Sequence, residues 1–168
     1  MLATQIAGDS RGTSFALPLR MIIRKVEELT AYQFVLELKL EVYRLLRSKP
    51  EMRREFKYAG QVRDALGDVE ADVAEGFARK NPGEFANFLR FALASLAEVR
   101  TRLKDGVARG GFTDEDVAMS LVWDERARIA LENLRDSQLR MAEKWKRERR
   151  GRNRTRRAPR STGARPDS

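Results

Sequence analysis

Residues 56–112 read FKYAGQVRDALGDVEADVAEGFARKNPGEFANFLRFALASLAEVRTRLKDGVARGGF. Two apolar stripes with a 3.6-residue period run through this stretch. The first is Tyr58, Val62, Ala65, Leu66, Val69, Val73, Gly76 and Phe77, and the second is Phe85, Phe88, Leu89, Ala92, Leu96, Val99 and Leu103. Residues recurring at this spacing lie on one face of a helix. The interruption, Arg79-Lys80-Asn81-Pro82-Gly83-Glu84, carries a helix-start signal. Asn81 suits the cap, Pro82 the first helical position, and Glu84 is placed to return a bond to the cap residue. Gly110-Gly111 supplies the stop, because a left-handed residue after a helix is cheap only for glycine. The stretch therefore predicts two long amphipathic helices joined by a short turn. Gly67 and Gly76 each cost about 1 kcal/mol against Ala inside a helix, so both are expected to mark close helix–helix approach, with a kink or a ligand contact as the alternatives.

The same period extends outward in both directions. Val35, Leu38, Val42, Leu45 and Leu46 place an earlier helix from about Lys25, which Ser48-Lys49-Pro50 ends because the residue before proline is pushed out of the α region. The next helix is expected to start between Glu51 and Phe56 and to run to Arg79. On the other side, Thr113 with Asp114, Glu115 and Asp116 caps a fourth helix running to Arg150. Its apolar face is Val117, Leu121, Ala127, Leu131, Leu134 and Met141, with Trp123, Ile129 and Trp145 partly off it. Four long helices with short turns predict an all-α fold, an up-down-up-down antiparallel four-helix bundle over residues 25–150. Residues 1–24 read as a flexible N-terminal arm, and residues 151–168 as a disordered, Arg-rich tail whose composition builds no core. Leu36, Leu40 and Tyr43 on the first helix, and Phe91 and Leu93 on the third, are more than one seam requires. They fit either an oligomer surface or a broad core stripe.

Composition narrows the chemistry. The 168 residues fit one domain with tails. There is no Cys and no His, which excludes disulfides, thiolate catalysis, thiolate zinc sites and histidine general bases. No Gly-rich phosphate loop of the P-loop or dinucleotide type is present. No apolar run approaches the ~20 residues of a membrane span, and no signal peptide fits the N-terminus, so a cytoplasmic protein that avoids membranes is expected. The net charge of +9 is concentrated. Residues 140–168 hold 12 basic and 3 acidic residues, so the body before them is neutral. A neutral body with a cationic tail points to a polyanionic partner or an anionic membrane surface.

The cationic residues at issue are Lys144, Lys146, Arg147, Arg149, Arg150, Arg152, Arg154, Arg156, Arg157 and Arg160. Guanidinium forks match phosphate bidentately, and counterion release drives binding. Nucleic acid is the favoured partner; a solvated tail or an acidic protein partner are the alternatives. Arg79 and Lys80 add a basic turn. Arg53, Arg54 and Lys57 form a second basic cluster, expected at the opposite end of the bundle. Glu75 and Arg79 stand at i, i+4, a spacing that supports a helix or a subunit contact; Arg63 is a candidate partner for Glu75. The carboxylates Asp64, Asp68, Glu70, Asp72 and Glu75 lack the histidines of a di-iron bundle, so no metal or cofactor is expected.

A set of spaced motifs adds a resemblance. Gln61 and Arg63 stand near the start of the second helix, followed by Val73-Ala74-Glu75-Gly76-Phe77-Ala78-Arg79. Then come Glu84-Phe85 with Phe88-Leu89, and Ala94-Ser95-Leu96 with Glu98. Gly110-Gly111-Phe112 follows as a Gly-aromatic turn. This order resembles the bacterial four-helix-bundle family of proteins encoded in 23S rRNA intervening sequences, which includes the accessory variability proteins of diversity-generating retroelements. The resemblance implies a left-handed bundle that assembles as a ring-like homopentamer, with no catalytic site. For retroelement members it implies a reverse transcriptase and RNA, or an RNA/cDNA hybrid, as partners. The resulting expectation is a non-enzymatic, oligomeric RNA-binding accessory protein of such a reverse transcriptase. The alternatives are a ribosome- or 23S rRNA-associated bundle, or an interaction scaffold for an acidic protein.

Overall fold

The computed structural model describes residues 23–157, with side chains through Arg152. All regular structure among these residues is helical. A 3-10 turn, Val26–Glu28, leads into α1, Thr30–Ser48, and α2, Pro50–Arg54. Then follow α3, Phe56–Ala78; α4, Pro82–Ala108; and α5, Asp114–Arg157.

Two boundaries differ from the sequence expectation, and one short helix is added. The first helix starts five residues after Lys25, because Leu29 is extended (φ −75°, ψ 121°) and buries its side chain. The expected second helix starts at Phe56, inside its expected range, and a short helix that was not expected precedes it. Pro50 opens a five-residue helix, Glu55 leaves the helical region (φ −71°, ψ 73°), and the chain re-enters at Phe56. The break lets Met52 bury to 2% exposure against Gly111. The described residues thus hold the four long helices expected and the short α2. The last helix passes Arg150 and continues to Arg157. Gly151 costs it only about 1 kcal/mol, and no proline intervenes before Pro159. Residues 1–22 of the expected arm and 158–168 of the expected tail lie outside the described residues.

The start signals work as their chemistry dictates. Asn81 Oδ1 accepts from the Gly83 and Glu84 N–H groups at 2.9 and 3.3 Å, and Asn81 Nδ2 donates to Glu84 Oε1 at 3.1 Å. The Thr113 hydroxyl accepts from the Asp116 N–H, while the Asp116 carboxylate accepts from the Thr113 N–H. Gly110 takes the left-handed conformation (φ +74°) that ends α4.

Named contacts join the long helices. Tyr58, near the start of α3, donates to the Arg102 carbonyl near the end of α4 at 2.6 Å. Gly76, near the end of α3, lies against Phe85 and Phe88 at the start of α4. Lys49 at the end of α1 pairs with Asp116 at the start of α5 at 2.7 Å, and Phe34 meets Trp123 at 6.1 Å between ring centroids. Tyr32 and Lys39 of α1 both donate to Glu70 of α3. The core between them is filled by fully buried Leu38, Leu66, Leu89, Leu96, Leu103 and Leu131. Gly67, unlike Gly76, has open space beside it, so the expected packing reason does not hold there. The surplus stripe divides: Leu36, Tyr43 and Leu93 pack against the core, whereas Leu40 and Phe91 are exposed.

Candidate nucleic-acid interface

At a rise of about 1.5 Å per residue, the 44 residues of α5 extend ~66 Å, against ~40 Å for the 27 residues of α4. The surplus projects from one end. Ala142 is the last buried residue of α5, and residues 143–152 are all exposed. Lys144, Lys146, Arg147, Arg149, Arg150 and Arg152 sit on this projecting segment. Arg154, Arg156 and Arg157 follow on helical backbone, their side chains undescribed, and Arg160 is outside the described residues. Lys146 pairs with Glu143 at 2.8 Å. That bond holds the Glu143 carboxyl below its usual range, with Arg147 and Arg150 adding to the effect. Lys144 and Arg149 carry no ion pair among the described residues.

The basic α3–α4 turn meets α5 where it leaves the core. A Cβ placed on Gly83 would stand 3.8 Å from the Ala142 Cβ. Arg79 and Lys80 are exposed beside this junction. Arg79 pairs with Glu75 and lies over the Phe88 ring, 5.4 Å from its centroid. Lys80 holds φ +53°, in the left-handed region. Arg24 and Lys80 share a groove of about 950 Å³ with Phe77, Pro82, Phe85, Leu134, Met141 and Trp145. The structure therefore gathers the start of the described chain, the α3–α4 turn and the cationic end of α5 at one site. Arg53 and Arg54 stand on α2, beside the α4–α5 connection through Met52 and Gly111, at the far end of α4.

The other motif residues take packing and capping positions. Phe85 and Leu89 are buried, and Phe77 meets Phe85 edge-on at 6.1 Å. Phe88 meets Phe91 in the same manner at 6.3 Å. Glu84 completes the Asn81 cap, Glu98 pairs with Arg102 at 2.9 Å, and Ser95 is half-buried on α4. Gln61 borders a shallow surface cavity with Tyr58 and Arg102. Arg63 does not reach Glu75: it lines a small cavity with Tyr43, Leu46 and Arg47 on the α1 side, and Glu75 is half-exposed with Arg79 as its partner. Of the acidic residues on α3, Glu70 is taken by Tyr32 and Lys39, and Asp72 has its pKa raised by partial burial and by Asp68 and Glu75. Among the described residues no group of three or more acidic side chains is placed to hold a metal ion.

Sequence reasoning missed a buried polar pair. Ser120 and Asp124 are 0% and 1% exposed, and Arg100 reaches Asp124 from α4. The signal was present: Val117, Ser120, Asp124, Ala127 and Leu131 share one helical register, so two polar residues stand inside a core stripe. Burial raises the Asp124 pKa against the opposing pull of Arg100. The neighbouring Glu125, half-exposed and bonded to Arg128 and Arg100, is held down at about 2.

The family model described as 23S rRNA-intervening sequence protein matches residues 27–122. The chain belongs to this family. The matched segment spans the 3-10 turn, α1 to α4 and the first turns of α5, and it includes every motif residue from Gln61 to Glu98. It ends at Val122, before the projecting cationic part of α5. No curated protein matches the sequence significantly. Among the described residues no helix is long and apolar enough to cross a membrane.

Proposed function

We propose that this family member is a non-catalytic, oligomeric, cytoplasmic RNA-binding protein. Its four long helices run up-down-up-down, and the projecting part of α5 with the α3–α4 turn grips the RNA backbone. The observation that carries this reading is the meeting of two separately encoded cationic segments at the Gly83–Ala142 contact. Exposed Lys and Arg arrayed on a rigid helix neutralise successive phosphates and release counterions. The helix order is supported by the contacts of Tyr58 with Arg102, Gly76 with Phe85, and Lys49 with Asp116. Self-association is supported by apolar side chains left in solvent on two helices, Leu40 on α1 and Met119, Val122 and Ile129 on α5.

The family description favours a 23S rRNA-associated role. Service to a reverse transcriptase on an RNA/cDNA hybrid is the narrower form, which co-purification with such an enzyme would establish. The decisive measurement is RNA affinity at several salt concentrations, with mass by light scattering, for the full chain and for a variant carrying Lys144→Gln, Arg147→Gln, Arg149→Gln and Arg150→Gln. Neutralising four phosphate contacts is expected to flatten the salt slope by up to about 3 on a single strand. An unchanged slope refutes the interface, and a monomeric mass refutes self-association.

A further inference from the structure

We propose that the groove at the cationic end holds an unpaired RNA base, so that the protein takes single-stranded RNA in preference to duplex. This rests on the RNA-binding reading and narrows it. The groove, about 950 Å³, is walled by Phe77, Phe85, Leu134, Met141 and Trp145. Trp145 is 46% exposed, a large aromatic surface left half in water on the helix that carries the cations. Arg24 and Lys80 line the same groove, and Lys144 and Lys146 adjoin Trp145 along α5 without lining it. An apolar, aromatic slot between cations is what an unstacked base and its two flanking phosphates require. A duplex keeps its bases stacked inside and reaches only the cations. Ser137 and Gln138 line the groove from α5 and offer donors and acceptors to a base edge.

Lys80 gives an independent pointer. It stands directly after the α3 C-cap with φ +53°, a conformation that glycine adopts at lower cost. The lysine brings strain and no ion pair among the described residues; what it supplies is a positive charge at the groove wall.

The test uses the full chain with Trp123→Phe, which leaves Trp145 as the only indole. Short oligoadenylate is expected to quench Trp145, while a matched RNA duplex and an abasic RNA strand bind without quenching. Trp145→Ala is expected to weaken oligoadenylate binding about tenfold and abasic-strand binding by less than about twofold, with Trp145→Phe keeping most of the oligoadenylate affinity. That pair of variants decides the matter even if Trp123→Phe fails to fold. Equal affinity for oligoadenylate and the abasic strand, with Trp145 unquenched, overturns the base site and leaves the RNA-binding reading standing. Quenching only after removal of residues 1–22 also overturns it, because the chain itself then fills the groove. No RNA binding of any kind defeats both.

Discussion

Arg100 on α4 reaches Asp124 on α5 with 2.5 Å between guanidinium nitrogen and carboxylate oxygen, and Asp124 is 1% exposed. The same guanidinium holds Glu125 at 2.6 Å. The second Asp124 oxygen and the Ser120 hydroxyl have no partner. The pair ties two helices together and leaves a buried carboxylate whose charge is favoured chiefly by Arg100, with Arg128 adding to it.

Replacing Arg100 with Met is expected to cost about 3 kcal/mol near neutral pH, because it strands a buried charge. Arg100→Met with Asp124→Leu should recover most of that loss. The sign of the pH dependence follows from the raised Asp124 pKa. A carboxyl whose folded pKa exceeds its unfolded value favours folding below the unfolded pKa, and that contribution is lost as pH rises through the folded pKa. Removing Arg100 takes away the pull that lowers Asp124, so the variant gains more than the parent on acidification. Urea unfolding should show the stability gap narrowing between about pH 7 and about pH 5; a constant gap would mean Asp124 does not set the cost.

Two glycines on α3 predict opposite outcomes for one substitution. At Gly76 a Cβ would stand 2.6 Å from Phe88 Cβ and 2.7 Å from the Phe85 ring, whereas at Gly67 nothing lies within 4 Å. Gly76→Ala should destabilise by about 2 kcal/mol, as overpacking outweighs the gain in helix propensity. Gly67→Ala should stabilise by up to about 1 kcal/mol. Thermal melts of the two variants check the pair, and a shift of the same sign in both would show that α3 and α4 are not in close contact at Gly76.

Tyr58 controls the alkaline limb. Burial and the nearby Asp105 push its hydroxyl up to about 12, and it donates to the Arg102 carbonyl. A phenol with a raised folded pKa contributes stability that is complete below its unfolded value of about 10 and is lost as pH climbs towards the folded one. Tyr58→Phe should cost about 1 kcal/mol near neutral pH. It should also flatten the decline above about pH 10 relative to the parent. Parallel alkaline curves would exclude Tyr58 as the titrating group.

The helices α3 and α4 and the turn between them were legible because their signals are local. Asn81, Pro82 and Glu84 cap within one turn, and each apolar stripe needs only its own helix. The short helix of residues 50–54 was not, because it lets Met52 settle against Gly111, a neighbour brought near by the fold. The course of α5 from Arg150 to Arg157 was not legible for a related reason. Its composition cannot build a core, yet a helix already started costs little to extend, and Arg-rich sequence is a good helix former. At the candidate site the cations were legible one by one. The groove was not, since Arg24, Lys80 and Trp145 come from three distant segments.

Lys80 separates stability from binding. In the left-handed region a Cβ costs roughly 1–2 kcal/mol, and glycine's extra chain entropy offsets part of that relief. Lys80→Gly should therefore match or exceed the parent in thermal stability, and should exceed Lys80→Ala by about 1 kcal/mol. Both variants lose the same charge beside the groove, so both should weaken single-stranded RNA binding alike and flatten its salt slope by about 0.7. If Lys80 served only the turn, the glycine variant would bind RNA as well as the parent does. If its charge serves the site, the more stable variant is the weaker binder, and no improvement in folding restores the lost affinity.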